Sequence, residues 1–385
     1  MKLKLPFELK SLTDKKQYQA LNYKIVILTV ILVLFGIVMV YSASSYLGEL
    51  QFSDKFYFLK KQIFGAILGT LALFFTYFVD YHKYEKHKTW FFILSVVLLL
   101  LVFIPGIGVE NNGASRWIRL PGFTIQPSEI AKFAFIIFAS SYLAKNHDIV
   151  GTFKGMLPVL VAGGIICILI LLEPNFSITL CVGLVTLIML FIGGSSIKNF
   201  VLMGAGIVPL VPLLIIMEPY RMKRLVAFLN PWANPQNEGY QLIQSFFSLG
   251  NGGLFGVGLF NSRQKFLFLP FAESDFIFSI IGEELGFLGA VILLIVFASL
   301  TINGLKIAFN SLDRLGCYLA VGIVSIIATQ VLINIAVVTG SIPPTGVPLP
   351  FISSGSTALV VFMAGIGILL NIHKQSYFKN KNINT

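Results

Sequence analysis

Apolar stretches of membrane-spanning length recur along this chain, near residues 24–46, 57–79, 90–107, 127–144, 155–172, 177–194, 199–217, 276–303, 315–338 and 356–373. A helix of roughly 20 apolar residues crosses the hydrocarbon layer of a bilayer, and inside lipid only helices and closed barrels satisfy every backbone polar group. The pattern predicts an all-α, polytopic membrane protein with about 10 transmembrane helices. Composition points the same way, since 56% hydrophobic and 12% charged residues exclude a soluble globule of ordinary make-up.

The spans divide the chain into a polar, basic tail over 1–23, a membrane domain over 24–373 and a short tail over 374–385. The first apolar run is longer than a signal-peptide core, so it reads as an uncleaved helix. Seventeen of the twenty-eight Lys and Arg residues fall on the side that holds the N-terminus, which places both tails in the cytoplasm by the positive-inside rule. Cys167, Cys181 and Cys317 lie inside spans without disulfide or metal-ligand spacing, and read as packing residues.

Between the seventh and eighth spans, residues 218–275 form one large extracytoplasmic loop, far longer than a connector requires. Its first part, near 220–229, alternates basic and apolar residues as a surface-lying helix does. A second amphipathic run starts at Gly239 and breaks into a Gly-rich stretch at 250–258, which lacks the Gly-Lys-Ser/Thr ending of a nucleotide loop. Arg116 and Arg119 lie in an earlier outer segment, and Arg221, Lys223, Arg224, Arg263 and Lys265 in the long loop. Such cations contact lipid headgroups or, as forks and point charges, a phosphorylated ligand.

Four carboxylates, Glu273, Asp275, Glu283 and Glu284, cluster in a chain that has seventeen acidic residues in all. Ionisable groups at a membrane are functional candidates by default. At about 100° per residue, Asp275, Ser279, Gly282, Gly286 and Gly289 share one helical stripe. That stripe suits close helix packing or a groove for a lipid chain, and Glu284 faces away from it. Glu129 and Lys132, three apart in the fourth span, share a face and neutralise one another, as a structural pair or as a cavity lining. Residues 339–357 hold four prolines and a cluster of hydroxyls, and read as a rigid, non-helical rim.

Five separated motifs, NGASRWI, QPSEIAKF, RLVAFLNPWANPQNEGYQLIQS, NSRQKFLFLPFAESDFIFSIIGEELGFLG and TGVPLPFISSGS, resemble the SEDS family (shape, elongation, division and sporulation) over nearly the whole chain. The resemblance implies a peptidoglycan glycosyltransferase that polymerises lipid II on the outer face of the bacterial cytoplasmic membrane, with a septal role in cell division. The family's essential acidic residue falls on Asp275, its cavity-lining pair on Glu129 and Lys132, and its Asn-Gly-Ala-x-Arg-Trp turn on residues 112–117, including Arg116. Its serine-rich motif falls on 353–358, making Ser353 and Ser356 substrate-binding candidates. The implied partners are lipid II, the growing glycan strand, a class B penicillin-binding transpeptidase, other division proteins and membrane lipid; nucleic acid is not among them.

The chain departs from the family's pattern in three places. The usual His before the essential Asp is absent from 270–275, the serine motif is altered, and the family's Pro-Asp-Phe-Gly turn is Pro174-Asn175-Phe176-Ser177. The residues themselves suit glycosyl transfer from a diphosphate, which needs one base and no acid. Asp275 is the expected general base, and Arg116, Arg221 and Arg224 are the expected stabilisers of the diphosphate. A divalent cation, Mg or Mn, stays open there. Two other function classes compete: a lipid II flippase using Glu129, Lys132, Glu283 and Glu284, and a scaffold that recruits a partner.

Overall fold

The computed structural model describes residues 15–111, 114–120, 123–207 and 219–382. Each apolar window overlaps a helix: α1 (Lys15–Phe52), α2 (Tyr57–Phe78), α3 (His82–Leu101), α4 (Pro127–Lys145), α5 (Phe153–Leu172), α6 (Phe176–Ile192), α7 (Ile197–Ile207), α10 (Ile277–Phe309), α11 (Arg314–Val338) and α12 (Ser356–Asn382). Among the described residues, six of these combine the length and apolar composition that a crossing requires: α1, α2, α5, α10, α11 and α12. Windows three, four and six form helices that are more polar or shorter, and the seventh window runs on past α7 into residues outside the described ones.

Local chemistry sets the ends. Pro127 opens α4, where a missing N–H costs nothing. Thr152 caps α5, Asn175 caps α6 and Asp313 caps α11, each side chain accepting a bond from a backbone N–H three residues on. Helix α11 is buried along most of its length, and α4, α6, α10 and α12 pack around it. The long loop folds into α8 (Pro219–Leu229), a short 3₁₀ turn (Pro231–Ala233) and α9 (Tyr240–Gly252), with residues 339–355 as the expected non-helical rim.

One departure from an all-helical chain is a three-stranded antiparallel sheet, β1 (Gly108–Asn111), β2 (Ala114–Leu120) and β3 (Phe123–Ile125), at the end of the bundle that carries Asp275. Asn112 and Gly113, which open the turn that the resemblance implies at 112–117, fall outside the described residues.

The stripe expected along α10 is not continuous, because the helix breaks at Gly286 (φ 68°, ψ −170°). In an unbroken helix the N–H groups of Phe287 and Leu288 would bond the carbonyls of Glu283 and Glu284. Here the Gly-rich stretch inserts instead. Val257 N donates to Glu283 O (2.9 Å) and Gly258 N to Glu284 O (3.0 Å), while Phe287 N donates to Gly253 O (2.8 Å) and Leu288 N to Leu254 O (3.1 Å). The insertion satisfies these four backbone groups, as lipid demands. A Cβ on Gly256 would lie 2.6 Å from Gly286 N, so only glycine permits this approach. Above the break the stripe packs against α9, with Ser279 bonded to Ser245 (2.9 Å) and Gly282 under Leu249. Close packing is therefore what Ser279 and Gly282 serve, whereas Gly289, below the break, lines an apolar groove of about 380 Å³ with Ile31, Phe35 and Ile292.

Candidate active site

Asp275 lies in the turn just before α10, partly buried, and its surroundings are held by backbone contacts. Asn334 Nδ2 on α11 donates to Asp275 O (2.8 Å) and to Val347 O (2.6 Å). Ser353 Oγ donates to Ser274 O (2.6 Å), and Ser354 N to Glu273 O (2.9 Å). The carboxylate rests on Gly346 of the rim, whose φ of 69° and lack of a side chain leave it room.

Two arginines from separate elements act electrostatically on this carboxylate. Strand β1 pairs Val109 with Trp117 and Glu110 with Ser115, so Arg116 is the extra residue of a β-bulge, a device that re-aims a side chain. Its Nε donates to Glu173 O (3.1 Å) and its Nη2 to Pro174 O (2.6 Å). Arg224 of α8 donates from Nη1 to Pro344 O (2.7 Å) on the rim. Burial pushes Asp275 up to about 6, against the opposing pull of Arg116 and Arg224. A carboxylate there is ionised at neutral pH yet basic enough to take a proton.

Glu173, just before the Pro174-Asn175-Phe176-Ser177 turn, is a further member of the site. Its side chain is fully buried, neither carboxyl oxygen has a hydrogen-bond partner, and burial raises it to about 8, opposed by Arg116. The same turn is tied to the rim by a bond from Ser177 Oγ to Thr345 O. A carboxyl bracketed by apolar spans was the available signal in the sequence.

Glu129 and Lys132 form the expected pair (2.8 Å), both buried, and Lys132 Nζ also donates to Gln330 Oε1 (2.8 Å) above the Phe362 ring. Gln330 Nε2 in turn donates to Pro348 O (2.9 Å). Gln330 and Asn334 stand one turn apart on α11, so this pair anchors the rim and lies beneath Asp275 rather than beside it. Both were missed in the sequence, where an amide in an apolar span is the only signal.

The remaining candidates divide. Ser353 Oγ is occupied in the backbone contacts of the site, accepting from Leu349 N (2.7 Å) as well. Ser356 Oγ, at the start of α12, donates to Lys61 O of α2 (3.1 Å). Arg221 lies in α8, and its side chain is outside the described residues. Lys265, in the long loop, is buried against Glu284, itself fully buried and bonded to Ser42 of α1. Among the described residues no three His, Cys, Asp or Glu side chains converge as a metal site. A divalent cation here would have Asp275 as a protein ligand, with diphosphate oxygens completing a Mg-type donor set.

The profile of the FtsW/RodA/SpoVE family, described as cell cycle protein, matches residues 23–378. Stage V sporulation protein E of Bacillus subtilis (strain 168) is 42% identical over 360 residues, covering 92% of this chain and 97% of that protein. The probable peptidoglycan glycosyltransferase FtsW of Geobacter metallireducens is 41% identical over 358 residues, covering 93% and 96%. A chain from a structure described as the coordination of polymerization and crosslinking by a peptidoglycan synthase complex superposes with a TM-score of 0.76 at 26% identity, covering 92% and 98%. The rod shape determining protein RodA of Thermus thermophilus shares the fold, with a TM-score of 0.67 at 24% identity over 92% and 96% of the two chains. With the match running from the first span to the last, this chain belongs to the FtsW/RodA/SpoVE family.

Proposed function

We propose that the chain is a peptidoglycan glycosyltransferase that polymerises lipid II into glycan strands at the outer face of the cytoplasmic membrane, in septal wall synthesis. The observation that carries the mechanism is one carboxylate, poised near 6, that feels two guanidinium groups from different elements. Asp275 takes the proton of the acceptor sugar's 4-hydroxyl as that oxygen attacks the donor's anomeric carbon. The new C–O bond forms as the bond to the diphosphate breaks, and the electron pair leaves with the undecaprenyl diphosphate. Arg116 and Arg224 stabilise that departing charge. Diphosphate is a good leaving group, so no second acid is required.

Partners follow the same reading. A class B penicillin-binding transpeptidase would crosslink the strands, as the similar synthase complex couples polymerization and crosslinking. The flippase alternative has less support, since Glu129, Lys132, Glu283 and Glu284 are engaged with neighbours rather than strung along a path.

The test is polymerisation of labelled lipid II by purified protein with its transpeptidase partner, comparing wild type with Asp275→Ala on a strand-resolving gel. Strands from wild type alone are expected. Lipid II crossing reconstituted vesicles without strand formation would favour the flippase.

A further inference from the structure

Glu283 and Glu284 end the first half of α10, and neither has a part in the chemistry above. Glu284 accepts from Ser42 Oγ of α1 (2.6 Å), Lys265 Nζ (2.9 Å) and Ser262 N (3.3 Å). Glu283 accepts from Ser262 Oγ (2.5 Å), Ser248 Oγ (3.2 Å) and Arg263 N (3.1 Å). Lys265 spends its remaining donors on Phe260 O (2.6 Å) and Ser42 Oγ (3.2 Å). The cluster is buried and sits at the helix break.

Its place in the chain is informative. The Lys265–Glu284 pair joins residues nineteen apart, and Asp275 lies midway between them. The ion pair therefore closes the base of a hairpin whose tip is Asp275. One arm is the loop from Lys265; the other is the half-helix Ile277 to Leu285, about 13 Å long. At the tip, Asn334, Ser353 and Ser354 hold the backbone of 273–275. The hairpin is pinned at both ends.

A buried ion pair is a poor source of stability, since apolar residues of the same size often replace one without loss. What it supplies is a fixed geometry. We propose that Lys265 and Glu284, braced by Ser42 of α1, are positioning residues for glycosyl transfer: they set where Asp275 stands between Arg116 and Arg224. This rests on the polymerase reading above. Lys265 is on this account no ligand of the diphosphate, although it belongs to the loop's basic set.

The experiment measures lipid II polymerisation, with kcat and KM followed across pH, for full-length wild type, Lys265→Arg, Ser42→Ala and the double variant Lys265→Met/Glu284→Gln, with the transpeptidase partner present. The double variant removes both charges of the pair together, and its folding is checked by thermal unfolding in detergent. It is expected to melt near wild type while kcat falls roughly 10- to 100-fold, the scale of a small misplacement of a reacting group. KM for lipid II stays within about twofold, because no substrate contact is removed. The acid limb, near 6 in wild type, moves down as Asp275 gains water. Lys265→Arg keeps the charge but moves its donors, and is expected to lose kcat in the same way; it decides the matter if the double variant does not fold. Ser42→Ala gives a smaller loss. A folded double variant, or Lys265→Arg, with wild-type kcat and an unmoved acid limb would overturn the proposal. So would a KM raised with kcat intact, which would make Lys265 a substrate ligand. If wild type itself forms no strands, the polymerase reading fails first and the positioning role with it.

Discussion

Asp275 and Gly346 touch so closely that a methyl group on the glycine would stand 2.8 Å from the carboxylate oxygen Oδ2. The rim of residues 339–355 is thus one wall of the site, and the carboxylate has little freedom to turn away from the two arginines.

Replacing Asp275 separates activity from stability. Asp275→Asn is expected to lower strand formation by roughly 10²- to 10⁴-fold, the usual worth of a positioned base. Burial lifts Asp275 from its ordinary value to about 6, so the fold favours the protonated form. The stability it contributes is fully present below its unfolded pKa and is lost as pH rises through about 6. The Asn variant should accordingly be more stable than wild type at about pH 8, by about 2 kcal/mol, and no more stable at about pH 4. Thermal unfolding at the two pH values checks the sign.

The polymerisation rate should rise through an acid limb near 6, where Asp275 becomes ionised. Arg224→Leu removes one of the two charges that oppose burial. Its limb should move upward by up to about one unit, and its kcat should fall through weaker stabilisation of the diphosphate. A pH–rate profile of the variant tests both.

Glu173 is protonated at neutral pH, held there by burial, and ionises only near 8. A negative charge appearing beside Arg116 would draw that guanidinium from Asp275 and the diphosphate. Activity is expected to fall at alkaline pH, and Glu173→Gln, a neutral isostere, should keep the neutral-pH rate and remove the fall. An alkaline limb unchanged in Glu173→Gln would assign it elsewhere.

Lys132→Met leaves the buried Glu129 without its partner and frees Gln330. Breaking one side of such a pair costs about 3 to 5 kcal/mol. The double variant Glu129→Gln/Lys132→Met should recover most of that, as read by melting temperature in detergent.

Gly286→Ala forces a side chain into the left-handed region, with its Cβ 2.3 Å from Gly256 N. The loss is expected to exceed about 2 kcal/mol, since a backbone shift is the sole relief. Yield of folded, monodisperse protein is the measurement.

Helices were legible wherever apolar length was unambiguous; the caps at Asn175 and Asp313 that set their ends came from the structure. The Glu129–Lys132 pair followed from a spacing of three. Contacts between residues far apart in sequence were not legible. Nothing local says that Arg116 sits on a bulge, that Lys265 meets Glu284, or that Gln330 holds the rim. The Gly286 break was hidden for a related reason: its hydrogen bonds are completed by Gly253 to Gly258, and the helical period carries on unbroken through the sequence.

The inserted Gly-rich segment and the broken helix are also mutually dependent. The N–H groups of Val257 and Gly258 and the carbonyls of Gly253 and Leu254 find their partners on α10 only where its regular bonding is interrupted. Neither the bend nor the docked segment is complete without the other, so the two behave as one cooperative unit of the fold.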